Sequence, residues 1–487
     1  MTLAPPRQRA SAGRPLIEAL PLRNPESDDA SFMGRRAWWL VVMNALVPGS
    51  AQILAGNRRL GRFGLGATLL GWVLVVLSAG LALLWRSAAI TVFTNWFVLT
   101  IVQILLIAYA VLWVVLTIDT IRMLRVVKLP AFSRFAAPVA ALLVLSLAAW
   151  GTLYASAAVA SSRGAFTSIF GSSGPSLPPS DGYYNILLLG ADSGTGRDSL
   201  RYDSISVVSV NATTGAVTIF GIPRDMPKVP FAEDSPMRDP KLVGYDYRNF
   251  FEGHNDSKCG WGAGINQLTN AVQVCRKDKG QSLYPEAVAH GSDPGIEATK
   301  DAAEGVLGIK IPYYVFVDMN GFADLIDALG GVDIKVEKRL PEGGGPAYPN
   351  QPAKDWATGW INPGQQHMNG DTAQWYARSR YTTSDFDRMK RQRQLQEAIL
   401  AQFTPQNVLT HFSAVADAGA ELAHTDLPQD KLPEFFDLIM KAKKQKVTTI
   451  ELTPDGGVSE RHPDFDQIHA MVQQALHPPT KTPTPTP

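Results

Sequence analysis

Five charged residues flank three short apolar runs within residues 185–225, NILLLGADSGTGRDSLRYDSISVVSVNATTGAVTIFGIPRD. Asp192 follows the first run, Arg201 and Asp203 precede the second, and Arg224 and Asp225 follow the third. Carboxylates hold hard divalent cations, and guanidinium forks hold phosphate oxygens. A second set lies further on. Arg378 and Arg380 stand in ARSR, and Arg388, Arg391 and Gln392 follow at spacings of three and four. Such spacings put Arg388, Arg391 and Gln392 on one helical face, with Lys390 and Arg393 pointing elsewhere. A turn between the two groups would aim four guanidiniums and an amide at one site. The competing reading is a solvated helix face and surface turns with exposed ion pairs, which are common and mostly inert. Asp385 and Asp387, in the first turn of that helix, read as compensation of the helix dipole.

The elements that must position these residues follow from periodicity and turn chemistry. Runs 185–190, 204–210 and 216–221 are short, rich in Ile, Leu and Val, and bounded by Gly, Asn, Asp or Thr, which predicts buried strands. NATTG at 211–215 predicts a hairpin between the second and third. An antiparallel second strand would bring its start beside the ends of its neighbours, gathering the charges at one sheet edge. Residues 226–264 read as a long irregular stretch of the functional or mobile kind. Helices are predicted at 265–274, 294–307, 320–329, 370–378, 385–403, 427–441 and 464–476, with strands at 313–318, 332–336 and 447–452. Asn320 and Ser384 are candidate caps, and Gly330 and Gly331 close the helix at 320–329. The βαβ-like order of 313–336 predicts an α/β fold, a layered αβα domain with a central mixed β-sheet, preceded by an all-α membrane region.

The chain has 487 residues and a formal net charge of +1, a total that says nothing about a polyanionic partner. Its distribution says more. The first 62 residues hold nine arginines and no lysine. Residues 1–34, rich in Pro, Ser and Arg, read as a disordered cytoplasmic tail without a signal-peptide pattern. Runs 64–85, 96–118 and 135–158 are long enough to span a bilayer, which takes ~20 apolar residues. Run 37–56 is interrupted by Asn44, Pro48, Gly49, Ser50 and Gln52 and has arginines at both ends, so it reads as re-entrant or interfacial. Three crossings from an inside N-terminus put residues after 161 on the extracellular side, making the protein a multi-pass component of the cell membrane. Residues 161–180 read as a Ser/Gly/Pro tether, 181–476 as one domain, and 477–487 as a disordered tail. The two cysteines, Cys259 and Cys275, both fall in the part assigned to the outside, where a disulfide is favoured; two unrelated buried thiols are the alternative. No helix-turn-helix or basic stripe marks a nucleic-acid partner.

Six motifs together resemble the LytR–CpsA–Psr family of cell-wall glycopolymer ligases, in its actinobacterial form: NILLLGAD, RYDS, IPRD, GIKIPYYVFVDMNGFADLIDALGGVDI, ARSR and SDFDRMKRQRQ. The likeness covers about residues 184–476. It implies that Asp192 and Asp203 hold Mg²⁺ (or Mn²⁺). It implies that Arg201, Arg224, Arg378, Arg380, Arg388 and Arg391, with Gln392, surround the pyrophosphate of a polyprenyl-pyrophosphate-linked glycan donor. Asp225 would orient Arg224, and Asp203 or Asp225 would take the proton of a peptidoglycan hydroxyl, the acceptor. The implied activity is Mg-dependent phosphotransfer, with the prenyl chain in an apolar groove lined by residues such as Val207, Ile219, Phe316 and Leu395. Two departures stand out. Gly264 occupies the position where the family often has lysine, and Asp387 the position where it often has glycine. A pyrophosphatase on the same donor, or a membrane-anchored binding or regulatory protein, are the alternatives.

Overall fold

The computed structural model describes residues 23, 29–170, 174–191, 202–243, 254–255, 260–402, 423–459 and 461–478. The chain divides into two compact units, Met1–Ala160 and Ser161–Pro487.

The first unit is helical: α1 (Ala30–Leu46), α2 (Ser50–Ala55), α3 (Arg58–Leu84), α4 (Arg86–Thr94), α5 (Trp96–Met123) and α6 (Ala131–Phe170). Among the described residues three helical stretches are long and apolar enough to cross a membrane, Arg58–Leu84, Trp96–Met123 and Ala131–Ser161. Asp29 caps α1 by accepting from the Ser31 and Phe32 amides, so helix begins inside the expected N-terminal tail. The interrupted run folds as a helical hairpin. Gly49 makes its turn at φ 97°, and a Cβ there would lie 2.3 Å from the Leu65 nitrogen, so only glycine fits. Asn44 Nδ2 donates to Thr117 Oγ1 at 3.0 Å, and Gln52 Nε2 donates to the Leu116 carbonyl at 2.7 Å. Arg36 donates to the Met123 carbonyl at 2.9 Å, and Gly56 approaches the Met123 side chain. Both arms therefore start and finish at the same level of α5. Helix α6 runs on through residues 161–170, within the stretch read as a Ser/Gly/Pro tether.

The second unit is built on a six-stranded mixed sheet. Its strands are β1 (Tyr183–Ala191), β2 (Tyr202–Asn211), β3 (Val217–Ile222), β4 (Tyr313–Asp318), β7 (Ala423–Thr425) and β8 (Thr448–Glu451), in spatial order β7-β4-β1-β2-β3-β8. Strand β2 runs antiparallel to both β1 and β3, and β4 and β8 add in parallel to β1 and β3. Asn211 Oδ1 accepts from Thr213 and Thr214, which makes the β2–β3 turn. Helices α7 (Pro294–Leu307) and α12 (Phe465–Leu476) cover one face, where Leu187, Leu189, Val207, Phe220, Ala302 and Val472 form the main core. Each large side chain buried there is worth roughly 1.5–3 kcal/mol. On the other face lie α8 (Met319–Ala328), α10 (Asp385–Gln402) and α11 (Leu432–Ala442).

Two strand expectations are corrected. Run 332–336 does not join the main sheet. As β5 (Val332–Val336) it pairs antiparallel with β6 (Gly364–Met368), beside α9 (Gly370–Arg378). Its alternating buried and exposed residues suit an antiparallel pair with one covered face, not a parallel strand buried on both. Strand β2 also begins earlier than its apolar run, at Tyr202, so Asp203 lies inside the sheet. Gly190 pairs with Ser204 but Ala191 pairs with Tyr202, which leaves Asp203 as the extra residue of a bulge.

Candidate active site

A bulge re-aims one side chain and ends regular pairing. Here it turns the Asp203 carboxylate toward the residues that follow β3. Arg224, in the turn closed by the Met226 amide on the Pro223 carbonyl (3.0 Å), binds Asp203 Oδ1 through Nη1. Arg388 Nη1 lies 3.6 Å from the same oxygen. Asp385 completes the group: its oxygens lie 3.1 Å from Arg388 Nη2, 3.8 Å from Arg224 Nη2 and 3.8 Å from Arg380 Nη1. Asp225 Oδ2 lies 3.3 Å from Arg224 Nε, and Asn266 Nδ2 donates to Asp225 Oδ1 at 3.2 Å. Three guanidiniums and three carboxylates thus meet where β2, β3 and the start of α10 converge.

The cluster is not electrostatically at rest. The Arg388 side chain is only 4% exposed, and its Nε has no hydrogen-bond acceptor. The Arg224 Nε is likewise buried without an aligned acceptor, since Asp225 is near enough for attraction but poorly directed. Burial pulls the Arg388 pKa below its ordinary value, Asp385 pulls it back up, and neighbouring Arg224 lowers it further. Buried N–H groups left unpaired on cations are what an incoming anion satisfies.

Beside the charges lies an apolar cavity of about 500 Å³, between the sheet and helices α8, α10 and α11. Ile186, Leu188, Val315, Phe322, Ile399 and Phe435 line it. Ser204, next to Asp203, and Gln392, one helical turn after Arg388, also line it, so cavity and cluster adjoin. Gln392 donates to the Ala377 carbonyl at 3.5 Å, and its buried Oε1 has no partner. Of the four groove residues expected from the sequence, Ile219 and Leu395 line the cavity. Val207 and Phe316 do not; they belong to the core on the opposite face. The reason is the two-residue period of a strand, which hands the cavity wall to Val208, Val315 and Val317.

Arg391 is held by its own turn. Its Nε donates to the Tyr376 carbonyl at 2.9 Å, its Nη1 to Thr383 Oγ1 at 3.2 Å, and its Nη2 to the Ser379 carbonyl. It fastens the turn that carries Arg380 instead of facing the cluster. The Arg378 guanidinium carbon lies 5.9 Å from the Trp375 ring centre. Asp387 does not add negative charge to the cluster. It forms a capping box with Ser384, accepting from the Ser384 amide (3.1 Å) while its own amide donates to Ser384 Oγ (3.0 Å), and it pairs with Lys338 at 3.1 Å. Burial alone would raise its pKa; the Ser384 amide, Lys338 and the Ser384 hydroxyl together hold it below the usual value. Gly264 is close-packed: a Cβ there would lie 2.8 Å from Asp225 Cα and 2.9 Å from the Arg224 carbonyl oxygen, so the present backbone excludes a longer side chain.

Asp192, Arg201 and Cys259 lie outside the described residues. The residue missed by sequence reasoning is Asp385, taken for a dipole-compensating acid. Its spacing of three from Arg388 was the available signal.

The LytR_cpsA_psr family model matches residues 159–241 and 268–476. A Bacillus anthracis protein named polyisoprenyl-teichoic acid–peptidoglycan teichoic acid transferase TagU is 27% identical over 256 residues, 52% of this chain and 63% of that protein. The protein of the same name from Halalkalibacterium halodurans is 28% identical over 276 residues, 56% of this chain and 70% of its own length. The chain thus spans less than two thirds of the first of these relatives. Among solved structures, Bacillus subtilis TagV is similar with a TM-score of 0.39 and 22% identity, over 60% of this chain and 97% of that one. A TagT structure with bound octaprenyl pyrophosphate lipid has a TM-score of 0.36 and 19% identity, over 63% and 95%. The family match covers more than half of the sequence, and the chain belongs to the LytR_cpsA_psr family.

Proposed function

We propose that this protein is a membrane-anchored phosphotransferase that moves a glycopolymer from a polyprenyl-pyrophosphate carrier to a sugar hydroxyl of peptidoglycan. The observation that carries the reading is the adjacency of a guanidinium cluster with unspent buried donors and an apolar cavity of about 500 Å³. An amphiphile with a pyrophosphate head and an isoprenoid tail has that shape and chemistry. The names of the relatives, polyisoprenyl-teichoic acid–peptidoglycan transferases, describe such a donor and acceptor.

In this reading the acceptor oxygen attacks the phosphorus that bears the glycan. A new P–O bond joins glycan to wall, the pyrophosphate P–O bond breaks, and polyprenyl phosphate leaves. Arg224, Arg380 and Arg388 bind and align the phosphates, with Arg201 and Arg378 as further candidates. Most of the acceleration then comes from alignment and charge neutralisation. Arg391 acts through the turn it holds, and Gln392 sits where head meets tail. Asp203 is engaged by two guanidiniums and is a poor base. Asp225, 66% exposed, is open to a hydroxyl and is the better candidate to accept the proton.

Among the described residues no group of three or more acidic, histidine or cysteine side chains gathers to hold a metal. Asp203 with Asp192 and two phosphate oxygens would still suit Mg²⁺, which commonly takes one or two carboxylates plus substrate phosphates. Bound there, Mg²⁺ would neutralise charge on the pyrophosphate. The Cys259–Cys275 disulfide belongs to the same proposal: the chain has two cysteines, and Cys275 is not a free thiol. So does the topology, with three crossings and residues 181–476 on the extracellular side.

The test uses the full chain in detergent with a polyprenyl-pyrophosphate-linked sugar and a muropeptide, with Mg²⁺ or EDTA, read by mass spectrometry. A phosphodiester product that needs the metal and vanishes in Arg224→Ala supports the ligase. Polyprenyl phosphate without coupled product supports hydrolysis, and a bound but intact donor supports a carrier or sensor.

A further inference from the structure

Of the four tryptophans after residue 161, three fall within twenty residues: Trp356, Trp360 and Trp375. They lie on or beside the hairpin of strands Leu340–Glu342 and Gly359–Ile361 and on α9. The intervening loop is tied by its own groups: the Ala347 amide donates to Gln351 Oε1 at 2.7 Å, the Gln351 amide to the Tyr348 carbonyl at 3.3 Å, and the Thr358 amide to the Glu342 carbonyl at 2.9 Å. Trp360 carries the Arg339 guanidinium over its ring at 4.1 Å, and Trp375 lies under Arg378. Trp356 is different. Its indole N–H donates to the Gln351 carbonyl at 3.4 Å, and its ring meets Tyr381 edge to face, with centroids 4.6 Å apart and planes at 64°.

Tyr381 directly follows Arg380, the exposed arm of the guanidinium cluster. An aromatic pair that served only to close a loop would be withdrawn from water, yet Tyr381 keeps 54% of its surface exposed. Tyr381 shares with Arg380 the turn closed by the Thr383 amide on the Arg380 carbonyl (3.2 Å), so it borders the arm of the cluster that would hold a phosphate. Exposed tyrosine and tryptophan offer a rigid apolar face and a polar tip at little conformational cost. A pyranose has matching chemistry, with a face of C–H groups and a rim of hydroxyls.

We propose that the exposed Tyr381 ring, braced edge to face by Trp356, is a stacking face for a pyranose ring at the edge of the guanidinium cluster, a reading that rests on the glycan transfer proposed above. The ring is either the first sugar of the donor glycan or the peptidoglycan sugar whose hydroxyl attacks. Both present the same face to the platform. Arg380 contacts the phosphate while Tyr381 sets the angle at which the sugar leaves it, which makes the pair a specificity determinant.

The experiment uses the full chain in detergent and the variants Tyr381→Ala, Tyr381→Phe and Trp356→Ala. It measures kcat and KM for transfer from polyprenyl-pyrophosphate-linked N-acetylglucosamine to a muropeptide, and binding of bare polyprenyl pyrophosphate. Loss of one anchoring aromatic contact is expected to raise KM for a sugar-bearing partner by about tenfold. Bare polyprenyl pyrophosphate should bind as before, and Tyr381→Phe should restore KM. Movement of the muropeptide KM assigns the platform to the acceptor; movement of the donor KM assigns it to the glycan. Unchanged KM for both partners overturns the proposal. Equal loss of bare polyprenyl pyrophosphate binding also overturns it, because the aromatic pair would then be a support for the Arg380 turn. Should the wild type transfer nothing, the ligase reading fails by itself. Saturation transfer from the protein to the sugar protons of the muropeptide or of the donor, lost in Tyr381→Ala, then decides the platform separately, and its absence for both in the wild type overturns it.

Discussion

Two buried cations in the second unit are treated in opposite ways. Lys300, on α7, has an acceptor for each of its three N–H bonds: Asp426 Oδ2 at 2.7 Å, Glu297 Oε1 at 3.0 Å and the Pro312 carbonyl at 3.3 Å. Burial pulls its pKa down, but Asp426 and Glu297 more than offset that, and the ammonium stays charged. Asp426 is also complete, with its other oxygen accepting from the Tyr314 amide at 2.7 Å. Arg388, on α10, shares Asp203 with Arg224 and Asp385 with Arg224 and Arg380, and keeps a buried Nε with no acceptor. A closed ion pair has nothing left to offer a ligand. A shared, under-satisfied one keeps donors that an anion could use. Burial and charge alone would not separate the two; the tally of donors against acceptors does.

The largest expected effects come from crossing the two clusters. Arg388→Ala or Arg224→Ala should lower transfer by about 10²–10³-fold, the usual loss when one preorganised donor to a developing charge is removed, with little change in the melting temperature. Lys300→Met should do the reverse, because it leaves Asp426 and Glu297 buried without their cation and costs about 3–5 kcal/mol of stability. Melting followed by intrinsic fluorescence, beside transfer rates measured below the melting range, checks both. A stable, fully active Lys300→Met would erase the distinction, as would an Arg388→Ala that merely unfolds. Asp385→Asn should follow at about tenfold to a hundredfold, since Arg388 and Arg380 lose the charge that orients them.

The sequence revealed much of this contrast and hid a part. The strands carrying Asp203 and Arg224 were legible because their apolar runs are short and bounded by turn residues, and the hairpin turn at Asn211 was plain. The bulge at Asp203 was not, because a one-residue slip changes pairing without changing composition. Val207 and Phe316 looked like groove residues because a two-residue period does not say which face of a strand meets which layer. Helix α10 was legible as a helix, but its buried residues are Arg388, Met389, Arg391, Gln392, Arg393 and Leu395. Polar residues buried on one helix follow no apolar period, so which arginine meets a carboxylate and which meets a carbonyl had to come from the fold. For that reason the contacts of Arg391 with carbonyls, and of Asp385 with three guanidiniums, were not legible.

The cavity extends the comparison from charges to packing. The core under α7 and α12 is filled, whereas the space under α8, α10 and α11 is left open. Val315→Phe adds a ring from the sheet into that space. A filled core would be strained by it, but here the ring enters an existing void, so the melting temperature should hold or rise. Transfer from a long-chain polyprenyl donor should show KM raised about tenfold, and a donor with a two-isoprene chain should be less affected. Loss of stability together with unchanged KM would mean that the void is closed to lipid.

The smallest effect tests the closed side of the comparison at its weakest point. Asp301 is the neighbour of Lys300 on α7, but its buried carboxylate has hydroxyl partners, Ser235 and Tyr284, where Asp426 has a cation. Burial raises its pKa to about 6, partly relieved by those two hydroxyls and reinforced by Glu304 and Glu297. The sign of the linkage follows. Between the unfolded value near 3.9 and the folded value, the native state binds a proton that the unfolded chain does not, so this group stabilises most at low pH and its contribution is lost as pH rises through about 6. From pH 5 to pH 7 the loss is about 1 kcal/mol. The other titrating groups are common to both proteins, so the reading is the difference between wild type and Asp301→Asn. The variant should gain relative stability as pH rises from 5 to 7, seen as a rise in its melting temperature minus that of the wild type. A constant gap would mean that Ser235 and Tyr284 satisfy the carboxylate as fully as Lys300 satisfies Asp426, and that a cation is not what closes a buried site in this fold.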